Sequence, residues 1–141
     1  MRIVAVPEYC LGCGLCEIYC AANHDGFKGQ VLKAYKTGQP VSRSRLVYTG
    51  DGPLLNTCHN CAEAPCANAC ISAAIQTDAN GAIFIDDLKC VSCYTCVMVC
   101  PYGHILPAGP KSVVKCDLCR ENGYKPACVA HCPNEALVIE N

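Results

Sequence analysis

Cysteine is the residue type in this chain whose number and spacing point to chemistry. Residues 10–20, CLGCGLCEIYC, place four cysteines at the intervals C-x2-C-x2-C-x3-C. Cysteines this close together rarely have the geometry to form a disulfide with each other. Zinc usually takes one pair of cysteines from each of two turns. The run is instead typical of iron–sulfur clusters, where three of the thiolates hold one cluster and the fourth binds a second cluster.

All sixteen cysteines fall into four groups of this kind. Each group begins C-x2-C and ends C-x3-C, and only the middle interval varies. In chain order the groups are Cys10, Cys13, Cys16 and Cys20; Cys58, Cys61, Cys66 and Cys70; Cys90, Cys93, Cys96 and Cys100; and Cys116, Cys119, Cys128 and Cys132. Sixteen thiolates at four per cluster predict four [4Fe–4S] clusters as cofactors. Structural zinc and disulfides are the alternatives, but zinc would leave the tight C-x2-C-x2-C runs unexplained.

The cysteines that share a cluster follow from the rule that the last cysteine of one run binds the cluster of the other run. Groups two and three are close in sequence and form one pair, which leaves groups one and four as the second pair. The predicted ligand sets are Cys58, Cys61 and Cys66 with Cys100; Cys90, Cys93 and Cys96 with Cys70; Cys10, Cys13 and Cys16 with Cys132; and Cys116, Cys119 and Cys128 with Cys20.

This pairing predicts an α+β fold of two nested bacterial-ferredoxin-like modules, built from short helices and two-stranded hairpins. Residues 58–100 form the inserted inner module, and residues 1–57 together with 101–141 form the outer module. Strands are expected at 2–6 and 136–140, which can pair and join the chain ends. In the inner module two short strands flank the sequence DANG, which is typical of a turn. A short helical turn should begin near the third cysteine of every group.

Composition limits the classes of function. The formal net charge of −1 excludes a strongly basic nucleic-acid-binding protein. No secretory signal fits the first ten residues, and no apolar stretch of about 18 residues predicts a membrane span. We therefore expect a cytoplasmic protein whose thiols are metal ligands. Apart from cysteine the core is thin, with two Phe and no Trp, so metal binding should supply much of the folding energy.

Clusters with four cysteine ligands leave no iron open to a substrate, so the sequence predicts one-electron transfer and no catalytic residue. For the four histidines (His24, His59, His104 and His131) an ordinary polar or packing role is favoured over a hydrogen bond to a cluster. Tyr9, Tyr94 and Tyr102 are expected to pack against the clusters. A basic segment at 28–45 contains no acid and five cations: Lys28, Lys33, Lys36, Arg43 and Arg45. It is either a solvated loop or hairpin, the favoured alternative, or a docking surface for an acidic partner.

The whole pattern resembles the four-cluster electron-transfer subunits of molybdenum and tungsten oxidoreductases, formate dehydrogenases, hydrogenases and carbon monoxide dehydrogenase. The stretches EYCLGCGLCEIYC, VLKAYK, CVMVCPYG, KCDLC and CVAHCPNEALV most resemble the ferredoxin-like subunit associated with nickel carbon monoxide dehydrogenase. The resemblance implies an anaerobic setting and a non-catalytic subunit. Such a subunit takes electrons from a catalytic oxidoreductase and passes them to a hydrogenase or a flavin-containing NAD(P)H oxidoreductase. A tungsten or molybdenum aldehyde or formate oxidoreductase is the alternative partner, and a zinc-stabilised interaction module is a distant alternative.

Overall fold

The computed structural model describes residues 1–109 and 111–141 and contains five α-helices in that part of the chain. Four of them begin one residue before the third cysteine of a group, which confirms the predicted helix positions. These are α1 (Leu15–Asn23), α3 (Pro65–Asn68), α4 (Thr95–Val99) and α5 (Ala127–Ala130). The remaining helix, α2 (Val31–Thr37), lies between the first two groups. Within the described residues no helix is long and apolar enough to cross a membrane.

Eight short strands complete the described fold: β1 (Arg2–Ala5), β2 (Arg45–Thr49), β3 (Gly52–Asn56), β4 (Ile75–Thr77), β5 (Ile83–Ile85), β6 (Leu106–Ala108), β7 (Lys111–Val114) and β8 (Leu137–Glu140). They form four separate two-stranded antiparallel sheets, β1–β8, β2–β3, β4–β5 and β6–β7. The architecture is therefore α+β, with short helices and small hairpins, as the sequence predicted.

The strands near the two ends of the chain pair with each other, which confirms the predicted pairing of strands at 2–6 and 136–140. Arg2 lies opposite Glu140 in the β1–β8 sheet, and their side chains form an ion pair at 2.9 Å. Ile3 of β1 and Leu137 of β8 are buried in one core together with cysteines of groups one, two and four. The sheet therefore places group one beside group four.

The β4–β5 hairpin forms at the predicted DANG turn. The Asp78 carboxylate accepts hydrogen bonds from the backbone N–H groups of Asn80 at 2.9 Å and Ala82 at 3.0 Å. Gly81 has a φ of +80°, a conformation that glycine adopts without strain. The side chain of Asp78 thus fixes the turn that brings Ile75 opposite Ile85.

The basic segment differs from the expected loop or hairpin, because its residues 31–37 form helix α2. The helix buries Ala34 completely and packs against α1, while Leu32 and Tyr35 remain exposed. Apolar residues spaced three to four apart explain the helix, since they can reach a neighbouring helix from one face. The hairpins β2–β3 and β6–β7 were not predicted either.

Cysteines make up a large part of the hydrophobic core. In the second core region Ile75 and Ile83 pack around Cys66 and Cys96. Ile105 and Val113, which follow residue 100, pack into the same region. The division into an inner module at 58–100 and an outer module stays a prediction. Ile105 and Val113 belong to the outer module in that division, but they pack against cysteines of the inner module.

Candidate iron–sulfur centres

The C-x2-C turns of the four groups share one backbone feature. In each turn the residue before the second cysteine has a left-handed conformation: Gly12 (φ +69°), Asn60 (φ +47°), Ser92 (φ +59°) and Leu118 (φ +59°). This conformation is uncommon for a residue such as leucine. Turns with successive N–H groups on one side form anion-binding concavities and occur at many iron–sulfur sites. The same unusual geometry in all four groups therefore points to four anionic groups of the same kind.

Sixteen thiols lie in four sets that we name sites 1 to 4. All sixteen cysteines lie in the described part of the chain, and none of them is in a disulfide. Site 1 comprises Cys10, Cys13, Cys16 and Cys132; site 2 comprises Cys20, Cys116, Cys119 and Cys128; site 3 comprises Cys58, Cys61, Cys66 and Cys100; site 4 comprises Cys70, Cys90, Cys93 and Cys96. The cysteines of sites 1, 3 and 4 line one cavity each, and those of site 2 lie close enough to interact electrostatically. That each set binds one cluster stays a prediction.

Site 1 is a cavity beside the start of β8, lined in part by Ala136 and Leu137. Its four thiols share the cavity with apolar side chains such as Leu46 and Leu55. The N–H of Ala136 donates a hydrogen bond to Cys132 Sγ at 3.3 Å. Burial raises the pKa of the Cys16 thiol to about 11, so a positive group is needed there to hold it as a thiolate. A metal cluster supplies such a charge.

Site 4 is a cavity between the β4–β5 hairpin and α4. Ile75, Ile85 and Val113 line it together with the four thiols. Ser72 Oγ lies 3.7 Å from Cys70 Sγ. Cys93 of this site and Cys13 of site 1 are the two exposed cysteines of the chain. The thiols of sites 1 and 4 therefore reach the surface.

Site 3 carries three aromatic rings at its edge. His59, Tyr102 and His104 line the same cavity as the four thiols, with the His59 and Tyr102 ring centroids 4.1 Å apart. Burial, and then the charge of His59, lowers the pKa of His104 to about 4, so the ring is neutral at neutral pH. Both ring nitrogens of His104 are buried without a hydrogen-bond partner among the described residues. A buried N–H without a partner fits a cavity whose occupant has acceptor atoms, as the sulfides of a cluster are.

Backbone donors also reach the sulfur atoms of site 3. The N–H of Asn60 donates to Cys58 Sγ at 3.4 Å, and the N–H of His104 donates to Cys100 Sγ at 3.5 Å. Hydrogen bonds to cysteine sulfur raise the reduction potential of a bound cluster. Both bonds depend on the left-handed turns, at Asn60 itself and at Gly103.

Site 2 is the innermost set, because all four of its cysteines are buried. Burial, and then the charges of Cys116, Cys20 and Cys119, raises the pKa of Cys128. Burial likewise raises the pKa of Cys116 to about 11. Four buried thiols that would repel one another as thiolates require a positive group between them. The donor set fits a cluster with a positively charged core.

An ion-pair network fixes the backbone of site 2. Asp117 accepts hydrogen bonds from Arg43 Nη1 at 2.6 Å and from the N–H of Cys119 at 3.1 Å, and its Oδ1 lies 3.4 Å from His24 Nε2. Burial alone would raise the pKa of Asp117, but the His24 hydrogen bond and the Arg43 charge outweigh it and hold the pKa at about 2. Arg43 N also donates to Cys20 Sγ at 3.4 Å. Arg43 of the basic segment is therefore bound within the protein.

Other predicted side chains have mainly packing or polar roles. His131 Nδ1 lies 2.9 Å from the carbonyl oxygen of Ala127, and its ring stacks on Tyr19 with centroids 3.7 Å apart. Tyr9, Tyr94 and Tyr102 each line the cavity of one site, but all three are about half exposed. Their rings cover the cavities at the protein surface and are not part of the buried core. Among the described residues no group of three or more His, Cys, Asp or Glu is arranged to hold a single metal ion.

Comparison with known proteins finds iron–sulfur and electron-transport relatives. Residues 54–141 match the family described as 4Fe–4S dicluster domain. The polyferredoxin-like subunit of aliphatic sulfonate oxidoreductase from Pyrococcus furiosus is 37% identical over 134 residues, which cover 92% of this chain and 70% of that subunit. YsaA of Escherichia coli K12, whose name assigns it provisionally to electron transport, is 36% identical over 138 residues, covering 96% of this chain and 86% of YsaA. An iron–sulfur protein of Rhodospirillum rubrum is 35% identical over 152 residues, which cover 96% of this chain and 79% of that protein.

The chain belongs to the 4Fe–4S dicluster domain family of ferredoxin-like iron–sulfur electron-transfer proteins. This membership confirms the broad resemblance found in the sequence. It also accounts for the local architecture, in which each short helix starts beside the third cysteine of a group.

Proposed function

We propose that this chain is a non-catalytic subunit that relays single electrons through four [4Fe–4S] clusters bound at sites 1 to 4. Each cluster supplies one-electron redox chemistry when bound, and the protein supplies four thiolates per site. Three properties of the described chain support the proposal: four thiols around each site, the repeated left-handed turn, and the buried His104 ring at site 3, whose nitrogens have no protein partner.

The observation that carries the relay is the order of burial along the sites. Sites 1 and 4 each expose one cysteine, Cys13 and Cys93, whereas every cysteine of site 2 is buried. Helix α1 carries both Cys16 of site 1 and Cys20 of site 2. Cys70 of site 4 closely follows α3, which carries Cys66 of site 3. In the proposed relay an electron enters at site 1 or site 4, where a cysteine is exposed, and passes through sites 2 and 3.

The outer module, residues 1–57 and 101–141, supplies sites 1 and 2 in this scheme. The inner module, residues 58–100, supplies sites 3 and 4. One redox partner docks at the exposed end of site 1 and the other at the exposed end of site 4. A cytoplasmic location suits this role, since the thiols must stay reduced until clusters are inserted.

Our first candidate for the electron donor is a nickel carbon monoxide dehydrogenase, with a hydrogenase or a flavin-containing NAD(P)H oxidoreductase as acceptor. The residue stretches around groups one, three and four support this choice. A second candidate is a tungsten or molybdenum aldehyde or formate oxidoreductase. The similarity to a subunit named for an aliphatic sulfonate oxidoreductase favours a partner of the broader oxidoreductase class.

The docking surface includes what we call the basic face, Lys28, Lys33 and Lys36. All three lysines are exposed, and the last two lie on α2 beside exposed Leu32 and Tyr35. A bound cluster with four thiolates has a net negative charge, so an excess of exposed positive charge on one face is unusual in the loaded protein. Complementary acidic groups on a partner would orient the encounter and accelerate association.

The test is to purify the complex anaerobically from its native host through a tag on this chain and to measure its metals. We expect about four iron atoms per site together with the catalytic metal of the partner. Nickel would support carbon monoxide dehydrogenase or a hydrogenase as the partner, whereas tungsten or molybdenum would support an aldehyde or formate oxidoreductase. Zinc with little iron would contradict the relay itself.

A further inference from the structure

Lys115 is a buried cation whose role none of the cluster sites explains. Its side chain is fully buried, with a residue exposure of 2%. The Lys115 ammonium donates one hydrogen bond to the carbonyl oxygen of Ile83 and another to that of Cys116 at 2.6 Å. The described residues contain no carboxylate that forms an ion pair with it.

A buried lysine of this kind needs a negative counter-charge. Lysine carries three donors and a full positive charge, and removing it from water costs free energy unless an opposite charge lies close by. Two carbonyl dipoles only partly replace an anion. The two carbonyls also belong to different parts of the fold, Ile83 to β5 and Cys116 to site 2. Lys115 therefore lies at the junction of the inner and outer groups of cysteines.

Thiolates of two neighbouring sites can supply the counter-charge. One carbonyl that accepts a hydrogen bond from the Lys115 ammonium belongs to Cys116, a cysteine of site 2. The other belongs to Ile83, which lines the site 3 cavity together with the four thiols of that site. Lys115 therefore acts electrostatically on the two inner sites, 2 and 3.

We propose that Lys115 is the shared counter-ion of the clusters at sites 2 and 3 and raises their reduction potentials relative to a neutral side chain at that position. The proposal rests on the four-cluster relay described above. Each reduction adds one electron from the donor oxidoreductase and takes one cluster core from 2+ to 1+, with no bond broken and no proton moved. A fixed positive charge stabilises the added negative charge. The two interior steps of the relay are thereby kept accessible to an electron arriving from either end.

Lys89 provides a matched control within the same chain. Both lysines directly precede the first cysteine of a group, Lys89 before Cys90 and Lys115 before Cys116. The Lys89 side chain is 52% exposed and lies 3.5 Å from Asp86, so solvent and a carboxylate already compensate its charge. A neutral residue at 89 should consequently have little effect on any cluster.

The experiment is an anaerobic reductive titration of the loaded chain with dithionite, followed by EPR, for wild type, Lys115→Met, Lys115→Gln, Lys115→Arg and Lys89→Met. A unit charge acting over about 10 Å at an effective dielectric constant of about 20 changes an equilibrium constant roughly tenfold. We expect Lys115→Met and Lys115→Gln to lower the reduction potential of one or two clusters by about 59 mV. This shift corresponds to about a tenfold change in the reduction equilibrium constant. Lys115→Arg and Lys89→Met should stay within about threefold of wild type in this equilibrium.

Every result decides the question. Neutral variants that load fully and keep all four wild-type potentials would overturn the proposal. If the neutral variants fail to load and Lys115→Arg loads, the charge itself is required, which supports the proposal. If Lys115→Arg also fails to load clusters, the proposal is overturned, because loading would then require the shape of the lysine side chain and not its charge. A wild-type chain that does not hold four clusters would instead refute the relay, independently of Lys115.

Discussion

Asp117 forms the buried contacts that hold Arg43 and His24 against group four at site 2, so Asp117→Asn should speed the loss of iron from that site. Asparagine keeps the size of the side chain and one oxygen for the Cys119 N–H but loses the charge that binds Arg43 at 2.6 Å. Breaking a buried ion pair costs about 3–5 kcal/mol. The Arg43 side chain is 19% exposed, so we expect the lower end of this range, about 3 kcal/mol.

The expected effect on rate follows from that free energy. Iron leaves site 2 when the protein around that site opens. If the Asp117–Arg43 contact is still formed in the native state but already lost in the transition state for this opening, removing about 3 kcal/mol makes the opening roughly a hundredfold faster. The assay mixes loaded protein anaerobically with mild guanidinium chloride and an iron chelator and follows iron release over time. About one quarter of the iron, the share of one site out of four, should leave in the accelerated phase.

The exposed pair of Arg2 and Glu140 is the control. These side chains lie 2.9 Å apart, but they are 49% and 48% exposed, so Glu140→Gln should cost less than about 1 kcal/mol. A double variant, Arg43→Gln with Asp117→Asn, should lose iron about as fast as the worse single variant, because both changes remove the same contact. If Asp117→Asn releases iron at the wild-type rate, this reasoning is refuted. It is also refuted if Asp117→Asn and Glu140→Gln change the rate of iron release equally.

Three further variants test other parts of the molecule. Replacing Cys58 and Cys61 together by serine should abolish hydrogen-exchange protection of the β4–β5 hairpin, because metal binding supplies much of the folding energy there; retained protection would contradict this. Tyr124→Phe removes the hydrogen bond that the Tyr124 hydroxyl donates to Asp78 at 2.5 Å and should lower the free energy of unfolding by about 1 kcal/mol, measured as a lower guanidinium midpoint. Reversing the three charges of the basic face should weaken partner binding at low salt and converge with wild type at high salt; unchanged low-salt affinity would exclude docking there.

The elements that wrap the thiols could be predicted from the sequence because cluster geometry sets the cysteine spacing directly. The helix starts near Cys16 and Cys96 and the DANG turn follow from short-range patterns. The pairing of the terminal strands follows from the pairing of cysteine groups one and four. Helix α2 was missed because the run of basic residues suggested a solvated loop, whereas burial of Ala34 depends on the tertiary contact with α1.

Several features of the sites could not be predicted, because they arise from contacts between distant residues. Residue type gives no indication that Leu118 adopts a left-handed conformation, which its surroundings impose. Arg43 was grouped with the other cations of its segment, and only the fold brings it to Asp117, 74 residues away. Lys115 and Lys89 occupy equivalent positions before a cysteine, and the sequence alone does not distinguish the buried one from the exposed one.

The most direct test of the central claim is to count iron, sulfide and electrons in the same anaerobic sample of the loaded chain. Sixteen cysteines at four per cluster predict about sixteen iron and about sixteen sulfide per chain, and about four electrons accepted on full reduction. That result, with the EPR signals of reduced [4Fe–4S] centres, would establish four redox-active clusters. Stoichiometric zinc, or iron for only two clusters with half of the thiols still reactive to alkylation, would contradict the relay.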